Sequence, residues 1–200
     1  MILERTFYNR DVVEVAQDLL GKRLVHLVDG ERVGGIIVET EAYDGEQDQA
    51  CHARKGLTKR NAPMYGEPGH AYIYFTYGIH WLLNCVTGKT GYPAAVLIRA
   101  LMPTEGIAMI AENREGIHRN HWCDGPAKLT RALGIDGEQN EADLCNSSSE
   151  IWIEDGITIP GSIIHTSPRI GIGYAAEPWR SIPWRFFINN DSISINNLIQ

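Results

Sequence analysis

The most regular alternation of apolar and polar residues in this chain lies between residues 33 and 43. These residues are rich in β-branched side chains and predict a strand entered from a turn at Asp29-Gly30. Because successive side chains of a strand point to opposite faces, Glu39, Glu41 and Tyr43 share one face. Two acids and an aromatic on one face are unusual for a purely structural strand. This face is therefore either the wall of a site or a solvated face covered by the tyrosine.

The same periodicities divide the rest of the chain into short helices and strands. Helical spacing predicts helices over residues 11–20, 104–114 and 126–133, with Thr104 as the N-cap of the second. Runs of β-branched and aromatic residues predict further strands at 22–29, 71–77, 80–86, 94–101, 150–155, 169–174 and 184–188. Strands follow one another and helices are grouped. This order favours one α+β domain over residues 1–200, with a largely antiparallel sheet, rather than a doubly wound fold.

Two stretches do not fit a regular element. Residues 44–68 connect two predicted strands with little apolar periodicity, and connections of this length in compact domains are usually functional or disordered. Four basic side chains, together with Pro63 and the Pro68-Gly69 pair, favour an ordered functional loop. The tail after Asn189 is polar and predicts an edge strand or a loose end.

Composition restricts the class of protein. The chain has 200 residues with an apolar fraction of 44%, which suits one domain with a sizeable core. No apolar run approaches the roughly 20 residues that span a bilayer, and no apolar signal segment begins the chain. Four widely spaced cysteines without a secretion signal indicate reduced thiols. We therefore expect a cytoplasmic protein without a membrane partner.

The charge is unevenly distributed. The formal net charge of −7 argues against a nucleic-acid partner, but residues 132–168 carry seven acids and no lysine or arginine. The rest of the chain then has 18 acids and 18 bases. Residues 52–60 show the opposite bias, with four bases and no acid: Arg54, Lys55, Lys59 and Arg60. Such a loop is typical either of phosphate contact or of an ordinary solvated surface.

Two polar residues occur inside otherwise apolar strands. Arg99 lies within Val-Leu-Ile-Arg-Ala-Leu, and a buried guanidinium requires a carboxylate, phosphate or substrate as partner. Glu41, also on a strand, is the natural carboxylate, either in a structural ion pair or in a site. Asn84 raises the same question, since a buried amide requires hydrogen-bond partners.

Aromatic side chains gather in two neighbouring stretches. Tyr72 and Tyr74 share a strand face, and Tyr77 precedes Gly78 at the predicted hairpin tip. Aromatics on alternate strand positions are usually core, and we expect this of Tyr72. Aromatic rings beside a carboxylate also suit a flat, electron-poor ligand such as a nucleobase. An exposed aromatic at a hairpin tip suits insertion between bases.

Other motifs are weak or missing. His118, His121 and Cys123 have ligand-like side chains, but the spacing supplies no fourth zinc ligand, so we interpret them as chance neighbours. The sequence holds no glycine-rich phosphate loop and no nucleophile elbow. No lysine lies in the predicted site strands, which disfavours Schiff-base chemistry. We therefore expect neither a metal nor a cofactor.

Taken in order, seven segments resemble the alkyladenine (3-methyladenine) DNA glycosylase family over nearly the whole chain. They are residues 37–43, His52 with Arg60-Asn61, residues 68–78, Asn84, residues 96–101, residues 125–129 and residues 169–173. Each motif alone is weak evidence for the family, whereas the order and spacing of all seven are specific to it. The resemblance implies a monofunctional, monomeric enzyme that removes alkylated or deaminated purines from double-stranded DNA. It also implies a single α+β domain with a curved antiparallel sheet and a protruding hairpin.

The resemblance also implies roles for individual residues. Glu41 matches the carboxylate that activates a water, and Arg99 and the main-chain carbonyl of Ile170 match groups that position this water. Tyr43 matches the residue that stacks on one side of the extruded base, with His52 and Tyr74 on the other side. Asn84 matches a residue that discriminates against the amino group of guanine, and Tyr77 matches the intercalating side chain.

Two other functions stay open at this point. A noncatalytic nucleic-acid-binding module would use the basic loop and the tyrosines without cleaving a bond. A hydrolase of free nucleosides or glycosides would use Glu39 and Glu41 as a carboxylate pair. Same-face neighbours on a strand lie about 6.5–7 Å apart at Cα, which permits such a pair.

Overall fold

The computed structural model describes residues 1–188, and its regular elements are short apart from two long strands. The helices are α1 (Arg5–Tyr8), α2 (Val12–Asp18), α3 (Ile107–Asn113) and α4 (Pro126–Leu133). The strands are β1 (Arg23–Val28), β2 (Glu31–Asp44), β3 (Ala71–Thr76), β4 (His80–Thr87), β5 (Ala94–Glu105), β6 (Ile151–Glu154), β7 (Ile164–Ser167) and β8 (Arg185–Ile188).

All eight strands belong to one open sheet, in which every pair is antiparallel. The order is β3-β4-β5-β2-β1-β6, while β8 also pairs with β2 and β7 pairs with β8. Strand β2 is the centre of the sheet because it pairs with β1, β5 and β8 along its length. The predicted α+β class with a largely antiparallel sheet is confirmed.

Local sequence signals explain the first elements. The Asp11 carboxylate accepts hydrogen bonds from the amides of Val13 and Glu14, which caps α2. The hairpin β1–β2 turns at Asp29 and Gly30, whose φ angles of 51° and 82° match the left-handed pair of a tight hairpin turn. Both elements are confirmed as the sequence predicted them.

The main hydrophobic core lies on the face of the sheet that α2 and α4 cover. Ile37 of β2, Ile98 of β5 and Leu129 of α4 are fully buried members of this core. The Thr40 hydroxyl points to the same side and donates to the carbonyl of Ala16 in α2 at 2.7 Å. The opposite face of β2 is therefore free to present Glu39, Glu41 and Tyr43.

The predicted helix at 104–114 is wrong in its first turn. Thr104 continues β5, since its neighbours Pro103 and Glu105 pair with Gly35 and Gly34 of β2. The helix begins only at Ile107, after Gly106 with a φ of 64°. Pairing with the long central strand therefore overrides the capping signal of the threonine.

The predicted strand at 169–174 is also wrong. This segment is a turn-rich loop with Gly171 at a φ of 78°, and a strand that the sequence analysis missed, β7, lies just before it. The loop is held by side chains rather than by a strand ladder. The Arg169 guanidinium donates to the Ala42 carbonyl at 2.8 Å and to the Asp48 carboxylate.

The long connection at 44–68 has regular local structure. It contains 3₁₀ helices at His52–Lys55 and Ala62–Tyr65, which supports its interpretation as an ordered loop. The tail after Asn189 lies outside the described residues, so its edge-strand interpretation and the domain bounds 1–200 stay predictions. All four cysteines are free. No helix within residues 1–188 is both long enough and apolar enough to cross a membrane.

Candidate active site

One row of paired residues crosses the sheet and joins distant parts of the chain. Tyr72 pairs with Asn84, Asn84 with Leu97, Leu97 with Glu41, and Glu41 with Arg185. Directly opposed residues of antiparallel strands point to the same face. The strand register therefore places an aromatic, an amide and a carboxylate together on the face opposite the main core.

A cavity of about 200 Å³ opens on this face. A cavity of roughly 150 Å³ is enough to hold a benzene molecule, so the space suits a flat ring system. Strand β5 supplies alternate residues to its wall, namely Ala95, Leu97 and Arg99. The wall also contains most of the predicted site residues: Tyr43, His52, Tyr74, Tyr77, Asn84 and Ile170.

The Glu41 side chain is fully buried directly behind this wall, and three groups hold its carboxylate. The Tyr43 hydroxyl donates to Oε2 at 2.8 Å, and Nη1 of Arg99 donates to the same atom at 3.3 Å. The amide of Ile170 donates to Oε1 at 2.7 Å. All three donors line the cavity. Since a carboxylate has about four acceptor positions, one position on Oε1 stays available.

The environment of Glu41 favours a basic carboxylate. Burial raises the pKa of Glu41 above its ordinary value, against the lowering effect of Arg99, the Ile170 amide and the Tyr43 hydroxyl. The nearby Glu39 carboxylate raises it further. Burial and the neighbouring Glu41 hold the pKa of Tyr43 well above its ordinary value, so this hydroxyl is a donor.

Arg99 is held by two acids rather than one. Its Nε donates to Oε1 of Glu39 at 2.6 Å, and its Nη1 makes the longer contact with Glu41. The prediction that Glu41 is a partner of Arg99 is confirmed, but Glu39 makes the shorter contact. Although burial alone would lower the pKa of Arg99, Glu41 and Glu39 raise it, so the guanidinium is charged.

The rings of His52, Tyr72 and Tyr74 form an aromatic part of the cavity wall. The rings of His52 and Tyr74 meet edge to face, with centroids 4.5 Å apart, and Tyr72 packs beside Tyr74 at 5.4 Å. The Tyr72 hydroxyl lies 2.9 Å from Nδ1 of His52. Tyr72 is buried, as predicted. Partial burial, then the cations of Arg60 and Arg54, lower the pKa of His52 to about 4, so its ring is neutral near pH 7.

The hairpin β3–β4 ends in an exposed tyrosine beside the cavity. Tyr77 is 90% exposed with a φ of 52°, a conformation that bulky residues rarely adopt. Ile79 on the other side of the turn is also exposed. The predicted tip position of Tyr77 is confirmed, and its role in DNA stays a prediction.

Asn84 is a buried residue of the cavity wall, and its Nδ2 donates to the Tyr72 carbonyl at 2.9 Å. The predicted basic loop is exposed next to the mouth. Arg60 lies over the Tyr74 ring at 5.0 Å, and Arg54 lies over the Tyr174 ring at 4.8 Å. Lys55 and Lys59 are exposed to solvent. The loop thus places cations around the aromatic wall, and its contact with a DNA backbone stays a prediction.

The sequence analysis missed three residues of this region. Asp48 and Arg169 form a fully buried ion pair, and the Arg169 guanidinium lies 4.7 Å from the Tyr43 ring on its protein side. Tyr174 is exposed at the mouth, and its hydroxyl donates to the Ala50 carbonyl at 3.3 Å. Arg169 carried a signal, since an arginine within a predicted apolar strand needs a partner. Asp48 and Tyr174 lie in loops without periodicity, so the sequence contains no comparable signal for them.

The residues that the structure describes form no candidate metal centre. Within residues 1–188, no group of three or more histidine, cysteine, aspartate or glutamate side chains is arranged to hold a metal ion. His121 instead bonds Asp124 at 2.7 Å, and Nδ1 of His118 accepts from the Asn120 amide at 3.3 Å.

Comparison with known proteins agrees with this arrangement. Residues 6–192 match the model of the methylpurine-DNA glycosylase (MPG) family. The chain belongs to this family. Its members are DNA glycosylases, and the aromatic cavity beside Glu41 is accordingly the candidate active site.

Three curated relatives, each named "Putative 3-methyladenine DNA glycosylase", match nearly end to end. The protein of Methanocella arvoryzae is 49% identical over 190 residues, covering 94% of this chain and 93% of the relative. That of Carboxydothermus hydrogenoformans is 46% identical over 96% of this chain and 97% of the relative. That of Burkholderia cenocepacia is 44% identical over 94% and 91%. The resemblance to the 3-methyladenine DNA glycosylase family that the motifs indicated is confirmed.

Proposed function

We propose that this protein is a monofunctional DNA glycosylase that hydrolyses the N-glycosidic bond of damaged purines in double-stranded DNA and so initiates base excision repair. Its substrates are alkylated or deaminated purines of the class of 3-methyladenine, 7-methylguanine, hypoxanthine and ethenoadenine. One observation carries the proposal: a buried, basic carboxylate, Glu41, is bonded to three groups that line an aromatic cavity.

The substrate base reaches the cavity by leaving the duplex. Bases inside a duplex are inaccessible, so the enzyme extrudes the nucleotide and meets an unstacking energy of a few kcal/mol. Damaged pairs unstack more easily, which contributes to selectivity. The exposed Tyr77 at the hairpin tip fills the gap that the base leaves. The basic loop with Arg54, Lys55, Lys59 and Arg60 contacts the phosphates nearby.

Inside the cavity, the extruded base lies between aromatic side chains. Tyr43 stacks on one side, and His52 with Tyr74 stacks on the other. Purines alkylated at a ring nitrogen are cationic and are held by the faces of these rings. Asn84, in the cavity wall, discriminates against the amino group of normal guanine.

Glu41 acts as general base on a water molecule at the sugar carbon. The water oxygen bonds to C1′, its proton passes to Glu41, and the purine leaves with the electron pair of the glycosidic bond. Arg99 and the main chain of Ile170 position this water, and the available position on Oε1 accepts its proton. General-base assistance of this kind contributes roughly 10²–10⁴-fold to the rate.

The side chains that line the cavity favour hydrolysis of the glycosidic bond without cleavage of the DNA strand. A lyase reaction requires an amine that forms a Schiff base with the sugar, and the cavity wall within the described residues includes no lysine. The product is therefore an abasic site in an intact strand. We propose further that the enzyme acts as a monomer.

The nucleoside-hydrolase alternative requires a second working carboxylate. Glu39 is the only candidate beside Glu41 on this strand face, and both Arg99 and Arg185 bind its Oε1. These contacts make Glu39 a poor acid for a leaving group and favour the single-carboxylate mechanism.

Base release separates the remaining alternatives. The purified protein is incubated with duplexes that contain each of the four lesions, and free base and alkali-labile sites are measured. We expect base release that cleaves the strand only after alkali. The Glu41→Gln variant retains duplex binding but loses at least about 10²-fold in excision rate, whereas Glu115→Gln, at an exposed acid, keeps the normal rate. Binding without base release by the wild-type protein would instead establish the noncatalytic module.

A further inference from the structure

One oxygen of Glu39 binds two guanidinium groups. Its Oε1 accepts from Nε of Arg99 at 2.6 Å and from Nε of Arg185 at 2.7 Å. Arg185 is fixed in turn, since its Nη1 donates to the Ser167 hydroxyl at 3.0 Å and its guanidinium lies 4.2 Å from the Phe187 ring. Glu39 thus joins the catalytic strand β2 to β5 and β8.

This contact determines how Arg99 meets Glu41. A guanidinium prefers to bind a carboxylate with two parallel N–H groups, and this arrangement gives the strongest ion pair. Here Glu39 occupies the Nε edge of Arg99, so only Nη1 reaches Glu41, at the long distance of 3.3 Å. A two-pronged pair would stabilise the ionised Glu41 carboxylate and make it a weaker base.

We infer that Glu39, braced by Arg185, is a positioning residue that keeps Arg99 from forming a two-pronged ion pair with Glu41 and so preserves the basicity of Glu41. This inference rests on the proposed role of Glu41 as the general base. Glu39 does not line the cavity, and it acts through its hold on Arg99 and through its negative charge beside Glu41.

The charges around Glu41 are consistent with this role. Two acids, Glu39 and Glu41, face two guanidinium groups, so the cluster is neutral and tolerates burial. The groups that face Glu41 come from five parts of the fold: Glu39 and Tyr43 of β2, Arg99 of β5, Arg185 of β8, Tyr74 of β3 and the Ile170 amide of the loop that follows β7. Of these, Glu39 is the other carboxylate.

The Glu39→Gln variant tests the inference through the pH dependence of a single turnover on a hypoxanthine duplex. In this variant Arg99 turns to Glu41, and the negative charge beside Glu41 is lost. Both changes favour the ionised carboxylate, so the acidic limb of the pH–rate profile moves to lower pH by about 1 unit. The plateau rate falls by up to about tenfold, because a weaker base accepts the proton. The Kd for the duplex stays within about twofold of the wild-type value, since Glu39 lies outside the cavity wall.

The Arg185→Gln variant gives a matched test with the opposite sign. It removes a cation while Glu39 still holds Arg99, so the acidic limb moves to higher pH. Both rates are normalised to the active fraction, measured by burst amplitude. If the acidic limb of the pH–rate profile stays in place in both variants and the rates follow only the active fraction, the role of Glu39 is merely structural. That result would overturn the inference. A wild-type protein without base release would overturn the proposed function itself.

Discussion

The amide of Ile170 donates to Oε1 of Glu41 at 2.7 Å, although 129 positions separate the two residues. This bond ties the loop after β7 to the central strand β2. The loop is in turn anchored by Arg169, whose guanidinium binds Asp48, Ala42 and Trp179. The candidate active site therefore depends on a buried ion pair whose arginine lies over the ring of Tyr43.

Breaking this ion pair destabilises the fold. Asp48→Asn leaves the buried Arg169 guanidinium without its charged partner, and we expect a loss of about 3–5 kcal/mol in the free energy of unfolding. Urea denaturation followed by tryptophan fluorescence measures it. Asp124→Asn is the control, because Asp124 pairs with Lys128 at the surface and the loss there stays below about 1 kcal/mol.

A double variant shows whether the pair acts as a unit. In Asp48→Asn with Arg169→Met, the isolated buried charge is gone, so the total loss is smaller than the sum of the two single losses. Additive losses would contradict the pairing. We also expect slower base excision in these variants. The loop after β7 loses its anchor, so the Ile170 amide is no longer held against Glu41.

We expect replacement of the buried Glu41 carboxylate to stabilise the protein at neutral pH. The pKa of Glu41 is raised by folding, so its ionisation opposes the folded state at pH 7, and this opposition vanishes as the pH falls below the ordinary glutamate value near 4.3. Glu41→Gln therefore has a higher Tm than wild type at pH 7, by about 3–5 °C for each unit of raised pKa.

Thermal unfolding between pH 4 and pH 8 measures this difference. The Tm gap between Glu41→Gln and wild type closes as the medium becomes acidic, because wild-type Glu41 is then protonated and neutral like glutamine. Glu115→Gln, at an exposed acid, shows no such dependence. A variant that is less stable than wild type at pH 7 would show that the ionised carboxylate is favoured by its neighbours over burial.

Much of this site could be predicted from the sequence because strands transmit periodicity over long distances. Alternation alone placed Glu39, Glu41 and Tyr43 on one face, and the apolar surroundings of Arg99 required a carboxylate, a phosphate or a substrate as its partner. The hairpin turn placed Tyr77 at an exposed tip. Each of these inferences depends only on residues of the same strand or of the next strand along the chain.

Features that depend on contacts between loops could not be predicted in the same way. Asp48 has no periodic context, and its partner Arg169 lies 121 positions away. The strand predicted at 169–174 is wrong for the same reason, since side-chain bonds hold that segment where no ladder forms. The double use of Glu39 by Arg99 and Arg185 follows from the pairing of β2 with β5 and β8, which the sequence does not specify.

His52 stays neutral well into the acidic range. Its pKa of about 4 reflects partial burial and then the cations of Arg60 and Arg54. Because the folded pKa lies below the ordinary value near 6.5, stability from the neutral ring is present above pH 6.5 and is lost as the pH falls toward 4. Histidine NMR titration should give a midpoint near 4 for this ring.

Removing a neighbouring cation tests the cause of that low pKa. Arg60→Gln raises the His52 midpoint, whereas Lys59→Gln, at the adjacent exposed cation, moves it less. Equal shifts in both variants would assign the effect to the overall charge of the loop. A midpoint near 6.5 in wild type would show that the ring is fully hydrated, which does not fit a stacking role.

We expect the exposed tyrosine at the hairpin tip to be needed for activity on duplex DNA and not for cleavage of the glycosidic bond. Tyr77 is 90% exposed, so Tyr77→Ala changes stability by no more than about 0.5 kcal/mol. Its φ of 52° is strained for a tyrosine, and such strain persists where function requires it.

For Tyr77→Ala we expect a large loss of excision from damaged duplexes and little loss on the corresponding free nucleosides, measured by base release under single-turnover conditions. Tyr92→Ala, at an exposed tyrosine outside the cavity wall, retains both activities. Equal losses on duplex and nucleoside would show that Tyr77 contributes to the chemical step and would contradict its role as a wedge.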